Sequence, residues 1–173
     1  MKLLATLLVF AALNLLARAE SPAAAKPPSP CAPLEFLVGG VWVASVSEPG
    51  QPSTTIELRV ERNENQQGLR FRSEFVRGAK HDPYTNGLYA WNGAKKKLVI
   101  VYTDMTGSLT EGDLTQEGET LVHTLTATGP TGKIEPVQVR MTPIGSDVFT
   151  NEIYLSKNGA WEKFIAVRYE RKT

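Results

Sequence analysis

The chain has a single cysteine, Cys31, so no intramolecular disulfide can staple it, and its stability must come from a packed core. It has two histidines, His81 and His123, far apart in sequence, where a metal site normally needs three or four donors. There is no G-x-S-x-G elbow, no H-E-x-x-H, no C-x-x-C, no EF-hand loop and no P-loop. Without a visible set of nucleophile, base and orienting group, the chain does not read as an enzyme. Basic and acidic residues almost cancel, 19 against 18, so no strong positive field is available to attract nucleic acid. The one basic cluster, Lys95-Lys96-Lys97, follows Asn92-Gly93-Ala94 and reads as a solvated hairpin tip. After the first 19 residues no apolar run approaches the length of a membrane-spanning helix, so stable membrane insertion is not expected. No long amphipathic helix is visible either.

What the first residues do have is the pattern of an export signal. Lys2 supplies a positive start, residues 3–17 are apolar apart from Thr6 and Asn14, and Ala17-Arg18-Ala19 has the small-x-small form of a cleavage site. Residues 1–19 are therefore expected to be removed, leaving a periplasmic or secreted protein. Residues 20–33 are rich in Ala, Pro and Ser and hold too little apolar surface to order themselves, so they read as a linker. Pro28-Ser29-Pro30 before Cys31 does not resemble a lipid-attachment site. The thiol is expected free, or paired with another molecule, on a flexible arm.

Residues 34–173 carry the folded domain. The bunched apolar residues of Pro33-Leu34-Glu35-Phe36-Leu37-Val38, stopped by Gly39-Gly40, predict one or two helical turns able to plug the end of a barrel. From Val41 onward the pattern is β. Ile56, Leu58 and Val60 alternate with Thr55, Glu57, Arg59 and Glu61, and Leu69, Phe71, Ser73 and Phe75 alternate with Arg70, Arg72 and Glu74. Further strands are expected at 84–91, 98–103, 108–115, 120–126, 135–142, 147–156 and 161–171, separated by Gly-, Asn-, Asp- or Pro-bearing turns. This predicts an all-β protein: an antiparallel up-and-down barrel of about ten strands, with the first and last side by side. An open sandwich is the alternative, but connections this short favour direct pairing of successive strands.

Several residues stand out as candidates for chemistry. His123, in Leu121-Val122-His123-Thr124-Leu125, shares a strand face with two leucines and so is expected to point inward. Tyr89 and Trp91 share a face, as do Phe71 and Phe75, and Tyr102 adds to the aromatic set. Phe71, Tyr89, Trp91, Tyr102 and His123 together would line a small-molecule pocket, although a packed core looks similar in sequence. His81, in Lys80-His81-Asp82-Pro83, reads as an exposed turn residue. Glu111 and Asp113 share a face and form a possible carboxylate pair, but their polar neighbours indicate a solvated surface. Asp104 reads as a turn former that can also sit at a barrel mouth. Trp42 reads as a buried structural residue.

Gly40-Val41-Trp42 resembles the G-x-W signature on the first strand of lipocalin-like (calycin) barrels. That resemblance implies a basic residue from the last strand packed on the Trp, and Arg168 is matched to it, with Arg171 second. The wider pattern includes Leu34-Glu35-Phe36-Leu37-Val38-Gly39, Gly87-Leu88-Tyr89, Tyr102-Thr103-Asp104-Met105-Thr106-Gly107 and Tyr169-Glu170-Arg171-Lys172. It is similar to a bacterial group of exported, lipocalin-like proteins of unknown function. Fatty-acid-binding barrels place Arg-x-Tyr on the last strand to grip a carboxylate. Here Arg168 and Tyr169 are adjacent and face opposite ways, so that grip is not reproduced, although Tyr169-Glu170-Arg171 does put a Tyr and an Arg on one face. Nitrobindin-like barrels are similar in size and strand count and bind haem through a late histidine. No histidine follows His123, so no cofactor is expected, with haem on His123 kept as the alternative.

The leading expectation is an exported barrel binding a small apolar or amphipathic molecule in its interior. The alternatives are a packed barrel acting as a structural or interaction module, and a cyclase- or isomerase-type enzyme using His123 or Asp104 as acid or base.

Overall fold

Alternation of apolar and polar residues shapes ten strands in the computed structural model, which describes residues 29–47, 53–64 and 67–172. The expected export signal, and residues 20–28 of the expected linker, lie outside the described residues. The strands are β1 (Val41–Val46), β2 (Thr54–Arg62), β3 (Gly68–Arg77), β4 (Lys80–Asn92), β5 (Lys97–Asp104), β6 (Leu109–Glu117), β7 (Thr120–Thr128), β8 (Ile134–Pro143), β9 (Val148–Lys157) and β10 (Ala160–Lys172). Each pairs antiparallel with its neighbours in sequence, and β1 pairs with β10 to close the barrel. Closure leaves no free sheet edge. The all-β antiparallel barrel expected from the period-two pattern is what the chain forms.

Register carries the inward residues around the barrel in rows. Val60 opposes Phe71, Phe71 opposes Gly87, and Gly87 opposes Tyr102. Leu114 opposes His123, and His123 opposes Val139. Gly87 is required by this packing. A Cβ there would lie 2.3 Å from Tyr102 Cβ and 2.4 Å from the Val101 carbonyl oxygen, both closer than atoms can approach. The missing side chain lets the Phe71 and Tyr102 rings meet edge to face with centroids 5.9 Å apart.

A 3-10 helix, Ala32–Leu37, lies against the end of the barrel where β1 starts and β10 finishes. Leu34 and Leu37 are buried in the same cluster as Trp42, Val60, Leu69 and Phe149. Gly39 and Gly40 both adopt positive φ, which reverses the chain from this helix into β1. Trp42 is fully buried, donates its Nε1–H to the Leu37 carbonyl at 2.9 Å, and packs edge to face on Phe149.

Two expectations are corrected here. The basic residue on Trp42 is Arg171. Its guanidinium lies 4.3 Å from the Trp42 ring centre, whereas Arg168 points outward and pairs with Glu170 at 3.0 Å. The reason is strand geometry: Tyr169 and Arg171 share the inward face with Val167, and Arg168 takes the other. Cys31 is not on a flexible arm either. It is 1 % exposed and belongs to the core cluster, with the 3-10 helix beginning at the next residue.

Candidate functional site

The barrel encloses a cavity of about 200 Å³ between the 3-10 helix and the opposite end. Leu37 contributes to its floor, and Asp104, the last residue of β5, contributes to its mouth. Most of the wall is apolar or aromatic, from Leu58 and Val60 on β2 to Ile153 on β9. Phe71, Tyr89, Tyr102 and His123 all line it, so β3, β4, β5 and β7 bring together four of the five residues marked out in the sequence.

Trp91 is the exception and is corrected. It shares a face with Tyr89, as alternation requires, but lies opposite Leu98 near the end of β4, 47 % exposed and outside the cavity lining. Pairing with β3 stops at Ala90, so Trp91 keeps a strand neighbour only on the β5 side.

His123 is 2 % exposed, and both of its ring nitrogens have partners. Nδ1 lies 3.3 Å from the Val139 carbonyl oxygen, which can only accept, so Nδ1 carries the proton. Nε2 is then an acceptor, and the Tyr89 hydroxyl donates to it at 3.3 Å. Burial pushes the imidazole down to about 4, against the smaller opposing effect of its backbone hydrogen bonds, so the ring is neutral at neutral pH. Burial, with the nearby Tyr102 and Tyr169, pushes the Tyr89 hydroxyl well above its usual range, so it keeps its proton to donate. This arrangement does not suit haem ligation by His123. Iron would have to displace Tyr89 from the acceptor nitrogen, in a cavity of about 200 Å³ that is too small for a macrocycle of haem's size.

Other polar groups complete the lining. The Ser73 and Thr85 hydroxyls, opposite one another on β3 and β4, bond to each other at 2.5 Å. Tyr102, packed beside Phe71, is held above its ordinary range chiefly by burial. Asp104 Oδ1 accepts from the Thr106 N–H at 2.8 Å, the Thr106 hydroxyl at 2.6 Å and the Ser108 N–H at 3.1 Å. Partial burial raises its carboxyl, but these hydrogen bonds together outweigh it and hold the group below the usual carboxylate range.

Asn151 was not singled out from the sequence. It lies on β9 opposite Met141 and Val167, both inward residues, and lines the cavity. Its Oδ1 is buried without a hydrogen-bond partner. The available signal was alternation: Phe149, Asn151 and Ile153 share one face, so a polar residue stands between two apolar ones.

The remaining candidates lie on the outside. Asp113 pairs with Lys95 at 3.0 Å and Lys97 at 3.7 Å, and Glu111 is exposed. His81 is exposed as expected, but in strand β4 rather than a turn, with Nδ1 3.0 Å from Glu74. Among the described residues no group of three or more His, Cys, Asp or Glu is placed to hold a metal ion.

No protein-family model matches the chain, and no curated protein matches it. Among solved structures, the chain is similar to the crystal structure of Rv2717c from M. tuberculosis, at 13 % sequence identity and a TM-score of 0.55. The match covers 86 % of this chain and 100 % of that one. At that identity the likeness is one of fold: a closed barrel with a structural neighbour.

Proposed function

We propose that this chain is an exported, lipocalin-like binding barrel that holds a small, largely apolar molecule in its interior. The observation that carries the reading is the cavity itself. It is an apolar and aromatic space with a few fixed polar groups, among them the Tyr89–His123 pair and the unpartnered Asn151 oxygen. A buried acceptor without a partner costs about 1–3 kcal/mol, which a ligand N–H or O–H, or a water, offsets on arrival. That combination of apolar wall and sparse oriented polar atoms is what small-molecule sites use.

The size limits the occupant. At about 200 Å³ the cavity lies below the roughly 300–1,000 Å³ of pockets for drug-sized ligands, the scale of one substituted ring rather than a long acyl chain. Export is supported by the charge and apolar pattern of residues 1–19. The reading has no place for nucleic acid or for a cofactor, and none for stable insertion in a membrane.

The test is ligand-dependent stability. Phenethyl alcohol should raise the melting temperature of the mature protein progressively with concentration, as any ligand of the folded state must. Val139→Trp, which fills the cavity from β8, should keep the β-sheet circular dichroism and lose the rise. No shift in the unsubstituted protein at millimolar concentrations would sink the reading.

A further inference from the structure

Among the described residues that line the cavity one is charged at neutral pH, and it is an acid. None of the lining residues is lysine or arginine, and His123 is buried and neutral. Asp104 stands at the mouth with its Oδ1 held by Thr106 and Ser108. Asp104 opposes Thr85 across the β4–β5 pairing, beside Tyr84, and follows Tyr102 by two residues on the same strand face, so the three stand together on one wall.

That wall holds two aromatic groups, Tyr84 stacked on Phe75 with centroids 4.3 Å apart and a second set around Phe71. Phe71 packs on Tyr89 with centroids 5.2 Å apart and on Tyr102 at 5.9 Å, and Tyr84 lines the same space. Aromatic faces are negative and attract cations within about 6 Å, more strongly where water is excluded. A carboxylate entering here would meet the like charge of Asp104 and, among the described lining residues, no Lys or Arg. A protonated amine would meet complementary groups throughout. Asn151 Oδ1 points the same way, since an unpaired acceptor is satisfied by a ligand that brings donors.

We propose that the ligand is a small cationic amine carrying one ring, its ammonium held by Asp104 and the faces of Tyr84 and Tyr102, its ring enclosed by the apolar wall. This rests on the binding reading above and names the class of ligand.

The test compares three probes of similar shape by isothermal titration: phenethylamine, phenethyl alcohol and 3-phenylpropionate. Phenethylamine should bind at least about ten-fold more tightly than the alcohol, with the carboxylate weakest. Asp104→Asn retains an oxygen to accept from Thr106 and Ser108, and should bring the amine down to the affinity of the alcohol. Tyr84→Leu, which keeps the Tyr84 backbone carbonyl that accepts from Met105, should also weaken the amine more than the alcohol. Equal binding of amine and alcohol, or tighter binding of the carboxylate, would overturn the cation assignment and leave the binding barrel standing. Failure of all three to bind would overturn both.

Discussion

Arg171 on the last strand covers Trp42 on the first, its guanidinium 4.3 Å from the indole centre while its Nη atoms donate at 2.6 Å to the carbonyls of Phe36 and Gly39. One side chain thus joins the strand seam to the 3-10 helix that floors the cavity. The rigid fork of a guanidinium suits it to two carbonyls and a ring at once, which a lysine cannot match.

Arg171→Ala should therefore destabilise the protein by about 3 kcal/mol, combining a cation–π contact with hydrogen bonds from a charged donor. Arg171→Lys should recover only part of that. Arg168→Ala, which removes an exposed pair with Glu170, should stay within about 0.5 kcal/mol. Urea denaturation of the three variants checks the ranking, and equal losses at the two arginines would refute it.

Gly87 offers a second test, of packing. Gly87→Ala places a Cβ against the Val101 carbonyl and Tyr102, so strand separation or ring positions must shift, at about 2–3 kcal/mol. Gly93→Ala, where a Cβ meets nothing within 4 Å, should be nearly neutral. Comparable denaturation midpoints for both variants would show that β4 and β5 are looser than described.

The pH dependence follows from His123. Above about pH 6.5 the ring is neutral in both the folded and the unfolded chain, so it contributes no slope. Between that value and about 4, only the unfolded chain takes up the proton, because burial holds the folded pKa down. Stability should fall with falling pH across this window, by up to about 3 kcal/mol, and the contribution should level off below it. His123→Gln should flatten the window, leaving the carboxylate-driven loss at lower pH, to which Asp104 contributes because its pKa is also lowered. A wild-type stability that is flat between pH 6.5 and 4 would mean that His123 is solvated.

Much of the architecture was legible because alternation and burial coincide. Ile56, Leu58 and Val60 face the core as the pattern requires, and Leu121, His123 and Leu125 do so on β7. What alternation cannot reveal is where along a strand the barrel begins and ends. Trp91 has the right face but stands at the end of β4, whereas Tyr89, two residues earlier, is enclosed. Arg168 and Arg171 raise the complementary difficulty: composition names both, but only the face shared with Tyr169 selects Arg171. Cys31 was misplaced because its neighbours are Pro and Ala, and its burial depends on chain distant in sequence, as its Sγ contact at 3.7 Å with the Gln67 carbonyl shows. Asn151 escaped notice because its importance lies in a missing partner, which only the assembled barrel displays.

The central claim is that the interior, rather than the outer wall, receives the ligand. Methyl-labelled protein with saturating phenethylamine would test it most directly, by nuclear Overhauser contacts between the ligand ring and the protein. The account requires contacts to the methyl groups of Ile100, Leu125 and Val139, three residues on the cavity wall from β5, β7 and β8. Contacts confined to exposed methyls such as those of Leu88, Ile134 or Ile144, with the cavity methyls silent, would contradict it.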